Sequence, residues 1–275
     1  MALVEVQPGV RIFAQELGEG PPVVLIAGFG LSHEVWDGEV RELTAAGHRV
    51  VCVDLRGTGG SDKPLHGYDI ARLASDVGAV LTALDLQDVT LVGWSFGAQV
   101  SLRLAAASPE RLGRLVLVGS NGVRASRSAE FPFGPPADKL LPALVRGELE
   151  DRIGSRYRNF ISGFANQPDP NVVEFMLGVQ LQMPSWAAVA CYESYLTTDL
   201  VALLPQIQLP VLQVVGDSDP VTPLSGAEWL QQRLTDGRLV TLPSCGHYPM
   251  FEAPGPLQAA LVSFANKRST PPTSV

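Results

Sequence analysis

A series of short apolar runs, each broken off by a small or polar residue, constrains this chain more than any other feature. The runs are PPVVLIAGFG, HRVVCVDLRG, VTLVGWS, RLVLVGSNG and LPVLQVVGD. Their length and their richness in Val and Leu fit strands covered on both faces, as in parallel sheets. Helix-period segments lie between them. In DIARLASDVGAVLTALDL, residues Ile70, Leu73, Val77, Leu81 and Leu84 recur at three or four and line one face. FGAQVSLRLAAASPERL follows Ser95, with Pro109 marking its end, and Leu257, Leu261 and Phe264 repeat the pattern near the C-terminus. Strands alternating with helices predict an α/β fold with a doubly wound, mostly parallel sheet. The start, LVEVQPGVRIFAQELGEG, alternates instead at period two and predicts a hairpin at an antiparallel edge.

Between Val123 and Leu204 the composition changes. FPFGPPADKLLP is followed by helix-like pieces around LVRGELEDRIGSRYRNFISGF and SWAAVACYESYLTTDLVALL, with no strand of the earlier type. This predicts a helical cap, 124–204, covering the sheet edge where ligands bind, on a core made of 1–123 and 205–268. The tail, 269–275, is expected to be disordered.

Of 275 residues, 46% are hydrophobic and 17% charged, enough to bury a sizeable core. A net charge of −8 without a Lys/Arg cluster argues against nucleic acid and anionic membranes as main partners. Cys52, Cys191 and Cys245 are widely spaced and odd in number, which suggests neither a disulfide framework nor a metal site. The opening residues lack the blocks of a signal peptide and no apolar run is long enough to span a membrane, so a reduced, cytoplasmic protein is expected.

The chemistry concentrates at TLVGWSFGAQV, where a strand passes into a helix through Gly93-Trp94-Ser95-Phe96-Gly97. A sharp turn of this kind strains its central residue and lifts the hydroxyl clear of the sheet, at a helix N-terminus that favours developing negative charge. Gly93 and Gly97 avoid collisions with the neighbouring strand and helix, and Ala98 and Ala105 suit close helix packing. A serine hydroxyl needs a base. Of four histidines, His48 opens a strand, His66 lies in a polar loop and His33 follows the first glycine loop. His247, in LPSCGHYPMFEAP before the last helix, is placed to reach the top of the sheet. The imidazole needs a carboxylate to orient it. LPVLQVVGDSDPVTP supplies Asp217 and Asp219; Asp219 is favoured because Pro220 fixes the next turn and two further residues add reach. A tetrahedral oxyanion needs fixed donors, expected from the backbone N–H of Phe96 and of Phe29 in AGFGLSH. GTGGSD, which hints at a nucleotide loop, has Asp62 in the last glycine position and reads as a turn after the strand ending at Asp54.

Together these segments resemble the α/β-hydrolase superfamily along nearly the whole chain. GHRVVCVDLRGTGGSDKP looks like its second glycine loop, and GDSDPVTP and GHYPMFEAP like its acid and histidine segments. Within it, the stretch from Gln182 to Asp219 resembles the cofactor-free haloperoxidase, arylesterase and perhydrolase group. Ala27-Gly28 replaces the usual His-Gly of the first loop, and Phe29-Gly30 an aromatic followed by proline. The resemblance implies a cofactor-independent serine hydrolase of a small ester or lactone. Ser95 would be the nucleophile, His247 the base, Asp219 the orienting acid, and Phe29 and Phe96 the oxyanion donors. Gly28, Phe29, Trp94, Trp186, Tyr192 and Tyr195 are expected around the acyl pocket, and no metal is. Rival readings are a carbon–carbon bond hydrolase of diketone-like substrates, a lyase or cofactor-free oxygenase on the same triad, and a non-catalytic binding protein.

Overall fold

The computed structural model describes residues 1–266, so the tail 269–275 lies outside the described residues. The strands are β1 (Ala2–Gln7), β2 (Val10–Leu17), β3 (Pro22–Ile26), β4 (Arg49–Val53), β5 (Val89–Trp94), β6 (Leu112–Val118), β7 (Val211–Gly216) and β8 (Gly237–Leu242). They form one sheet in the order β1-β2-β4-β3-β5-β6-β7-β8. The chain opens as the expected hairpin, with β1 antiparallel to β2 and β2 antiparallel to β4, while every pairing from β4 to β8 is parallel.

The helices are α1 (Asp37–Ala45), α2 (Ile70–Ala83), α3 (Phe96–Ala107), α4 (Ala137–Glu150), α5 (Arg152–Ile161), α6 (Pro170–Gln180), α7 (Ser185–Thr197), α8 (Leu224–Gln231), α9 (Pro249–Glu252) and α10 (Pro254–Ala265). Successive strand residues point to opposite faces, and this divides the core in two. Val24, Ile26, Val51 and Leu91 pack with Leu73, Val77, Val100 and Leu104 of α2 and α3. Val23, Leu25, Val50 and Val92 pack with Leu43 of α1 and with Leu257, Leu261 and Phe264 of α10. Both faces being covered explains why all six residues of β5 and of β7 are buried, and why these strands read as continuous apolar runs.

Between β6 and β7 the chain leaves the sheet as a helical insertion, α4 to α7. Local signals set its boundaries. Asp151 separates α4 from α5 and its carboxylate accepts from Gly154 N–H at 3.2 Å. Asp169 caps α6 in the same way, accepting from Asn171 N–H at 2.8 Å, with Pro170 at the first helical position. No helix among the described residues is long and apolar enough to cross a membrane.

Strand order decides where a ligand can sit. β3 lies between β4 and β5, so the connections leaving β3 and β5 diverge to opposite sides. Ligands collect beyond the carboxyl ends of strands at such a switch. The loop after β3 and the turn after β5 meet there, with Ile26 and Gly93 paired in register.

Candidate active site

The turn after β5 is strained as its sequence requires. Ser95 sits at φ 53°, ψ −114°, a region a non-glycine residue rarely occupies. Its neighbours must be bare. A β-carbon on Gly93 would lie 2.5 Å from the Gly97 carbonyl oxygen and 2.6 Å from Ala98 Cα; one on Gly97 would lie 2.5 Å from the Ala27 carbonyl oxygen. Ala98 and Ala105 are fully buried, where α3 packs closely on the sheet.

Ser95 Oγ lies 2.8 Å from His247 Nε2, and His247 Nδ1 lies 2.9 Å from Asp219 Oδ2. All three side chains are buried. The carboxylate acceptor places the proton on Nδ1, leaving Nε2 to accept from the serine hydroxyl. The other oxygen of Asp219 accepts from Val221 N–H at 2.7 Å and Thr222 N–H at 2.9 Å, which fixes the carboxylate. Asp217 is exposed and accepts only from the Ser218 hydroxyl among the described residues. The backbone that carries His247 is anchored on three sides. His247 N–H donates to Gly163 O at 2.8 Å, Trp94 Nε1–H to His247 O at 2.9 Å, and Glu252 accepts from Gly246 N–H and Tyr248 N–H at 3.0 and 3.1 Å. Glu252 also accepts from Ala165 N–H at 2.8 Å, tying the histidine loop to the insertion.

The first glycine loop reaches this group. A β-carbon on Gly28 would come within 3.3 Å of Ser95 Cβ. The N–H groups of Phe29 and Phe96 meet no acceptor among the described residues, and Phe96 opens α3, where N–H groups point outward unpaired. Such a row can shed the serine proton onto the imidazole beside two donors for the resulting charge.

A cavity of about 230 Å³ opens over Ser95 and His247. Gly28, Phe29, Trp94, Tyr192 and Tyr195 line it. The Tyr192 ring stacks on Phe29 at 4.2 Å, and Tyr195 packs edge-on to Phe96 at 5.5 Å. Burial pushes both phenols up to about 12, so they face the cavity as neutral hydroxyls. Trp186 does not belong there. It is 48% exposed and its Nε1–H donates to Pro64 O at 3.2 Å. The reason is helical phase: nine residues at about 100° each set it opposite Tyr195 on α7.

Sequence reasoning missed further lining residues, among them Leu140, Asn159, Phe160, Gln180, Val221 and Tyr248. Tyr248 follows His247 directly and adjacency could have found it; the others sit on inward helix or loop faces that carry no local mark. Arg156 also reaches the cavity, but Glu148 binds its guanidinium in two places, at 2.7 and 2.9 Å, and the carbonyls of Met183 and Gln180 accept from it. Its charge is therefore neutralised within the insertion.

The other histidines take structural places. His48 bridges Pro21 O and Asn266 Oδ1, and His66 is exposed. His33 Nδ1 lies 3.0 Å from the buried Asp54 carboxylate, which holds its imidazole above the ordinary value. Asp54 also accepts from Gly60 N–H, so GTGGSD wraps a carboxylate. The three cysteines are free and buried, and no group of three or more His, Cys, Asp or Glu among the described residues is placed to hold a metal.

The sequence profile described as the alpha/beta hydrolase fold matches residues 21–254. The chain belongs to this family. It is 34% identical over 88% of its length to a pimeloyl-(acyl-carrier protein) methyl ester esterase of Nitrosomonas europaea, of which it covers 95%. It is 32% identical over 86% of its length to a putative non-heme chloroperoxidase of Synechocystis, covering 88% of that protein. Among solved structures, an esterase from Exiguobacterium antarcticum superposes with a TM-score of 0.93 at 25% identity, over 96% of this chain and 99% of that one. Relatives of this α/β-hydrolase thus include both esterases and haloperoxidases.

Proposed function

We propose that the protein hydrolyses small carboxylic esters or lactones through an acyl-enzyme on Ser95. The unbroken row from Ser95 Oγ through the His247 ring to Asp219 carries this reading. Ser95 Oγ attacks the substrate carbonyl while its proton passes to His247 Nε2. The N–H groups of Phe29 and Phe96 take the oxyanion. The carbon–oxygen bond to the leaving group breaks as His247 returns the proton to that oxygen. Water, giving a proton to His247, then attacks the acyl carbon, and the acid leaves as Ser95 recovers its hydrogen. The scheme needs no cofactor or metal. Gly28, Phe29, Trp94, Tyr192 and Tyr195 bound a small acyl group in the cavity. The esterase relatives favour an ester over other carbonyl substrates.

A second reading, cleavage of a carbon–carbon bond in a diketone-like substrate, draws on Asn159 and Gln180, whose amides are neutral donors for an enolate oxygen. A fluorophosphonate probe and a panel of simple esters separate the two. Labelling of Ser95 with ester turnover supports the hydrolase; labelling with none moves the assignment to the second reading, and no labelling at all overturns both.

A further inference from the structure

Behind the cavity over Ser95 lies a second one of about 200 Å³. The two are separated by a single layer of side chains, because Leu140, Tyr195, Leu196 and Val221 line both. On its far side the second cavity is walled by Phe131, Phe133, Pro135 and Pro223. Those two phenylalanines pack edge to face at 5.0 Å, a fixed apolar end.

We propose that the second cavity is the distal subsite for the substrate's acyl chain, entered by displacement of the Tyr195 ring. The inference rests on the ester-hydrolase reading of Ser95. Three observations support it. Small-molecule sites usually occupy roughly 300–1,000 Å³; neither cavity reaches that range alone, and the joined pair does. The charged groups at both cavities are already paired: Arg156 with Glu148, and Arg124 with Asp199 and Ser126. An uncharged, largely aliphatic chain is the ligand such walls accept, since a carboxylate would find no free cation among the lining residues. Position distinguishes acyl from alcohol. The leaving oxygen must face His247, whose ring is flanked by Trp94 at 5.9 Å and Tyr248 at 5.5 Å. Tyr195 instead packs on Phe96, beside the oxyanion donor, so a chain passing it runs away from the leaving group.

The test compares the full-length protein with Tyr195→Ala, with Tyr195→Ala/Ala125→Leu, and with Trp186→Ala. Ala125 lines only the second cavity, and a leucine there refills it. Two readouts are taken: kcat/KM on p-nitrophenyl esters from acetate to decanoate, and the rate of Ser95 labelling by fluorophosphonates of matched alkyl length. Each methylene buried in the new space contributes roughly a factor of four. Tyr195→Ala is therefore expected to raise the octanoate-to-acetate ratio by at least about 10-fold. The added leucine should cancel the gain, and Trp186→Ala should leave the ratio unchanged. If Tyr195→Ala does not fold, Val221→Ala thins the same wall and should shift the ratio in the same direction. A folded variant that turns over esters with an unaltered ratio overturns the subsite. So does a gain that survives the leucine, or one seen only when alkyl acetates of increasing alcohol length are compared. Labelling rates that follow chain length without turnover of any ester would sink the hydrolase reading and keep the subsite.

Discussion

Glu39 is buried at 1% exposure where α1 packs on α10, and among the described side chains its carboxyl meets the Gln258 amide, at 3.2 Å. Burial, only partly offset by the Gln258 hydrogen bond and the nearby Arg41 charge, raises its pKa from 4.5 to about 7. The folded protein then holds this proton more tightly than the unfolded chain does, so stability falls as pH rises from the unfolded value through the folded one. At about 1.4 kcal/mol per tenfold change, the full loss is about 3 kcal/mol, complete somewhat above neutral pH. Glu39→Gln removes the titration while keeping shape and a hydrogen bond to Gln258. At about pH 4 variant and parent should agree within about 1 kcal/mol; at about pH 8.5 the variant should be more stable by about 3 kcal/mol. In a chain of 275 residues that gap corresponds to roughly 5 °C in Tm. Urea unfolding of both proteins across this pH range measures it, with the midpoint read at constant slope. Groups common to both cancel in the difference. A gap that stays flat with pH, or opens toward acid, refutes the argument.

Ser95→Ala and His247→Ala should each lower kcat/KM on a small ester by about 10³-fold or more, with unfolding midpoints near the parent's. Asp219→Asn should lower turnover strongly while Asp217→Asn leaves it within about three-fold, because only Asp219 touches the imidazole; a reversed order in steady-state assays would reject this assignment of the acid. Glu252→Ala strips the acceptor from three N–H groups around His247, at Ala165, Gly246 and Tyr248. It should cost about 10-fold or more in kcat with a smaller change in KM, and Glu252→Gln should recover part of the loss. Gly93→Ala forces a β-carbon onto α3 and should destabilise by about 2 kcal/mol or more in chemical denaturation.

The chain's alternation of strand and helix was legible because each element is announced over a few residues. VTLVGW reads as a buried strand and is one. The face Ile70, Leu73, Val77 and Leu81 reads as a helix stripe and is buried on α2. Helices such as α1 and α6 carried no such signal. α1 is short and rich in Asp, Glu and Arg, and α6 is apolar nearly all round. The aromatic residues of α7 shared one composition, yet Tyr192 and Tyr195 face the cavity and Trp186 faces out.

What the residues alone determined is local chemistry: a strained serine between two obligatory glycines, an imidazole and a carboxylate on loops after strands, and an alternating pattern that permits one layered architecture. Backbone geometry and hydrophobic period act within a turn or two, so they can be read in a line of letters. Only the tertiary structure decided which aspartate meets His247, that Phe29 stacks on Tyr192 at the cavity wall, and that Arg156 is spent on Glu148. Those outcomes depend on strand order and helix phase, as does the meeting of Ser95 and His247, which lie 152 positions apart, where no local rule applies.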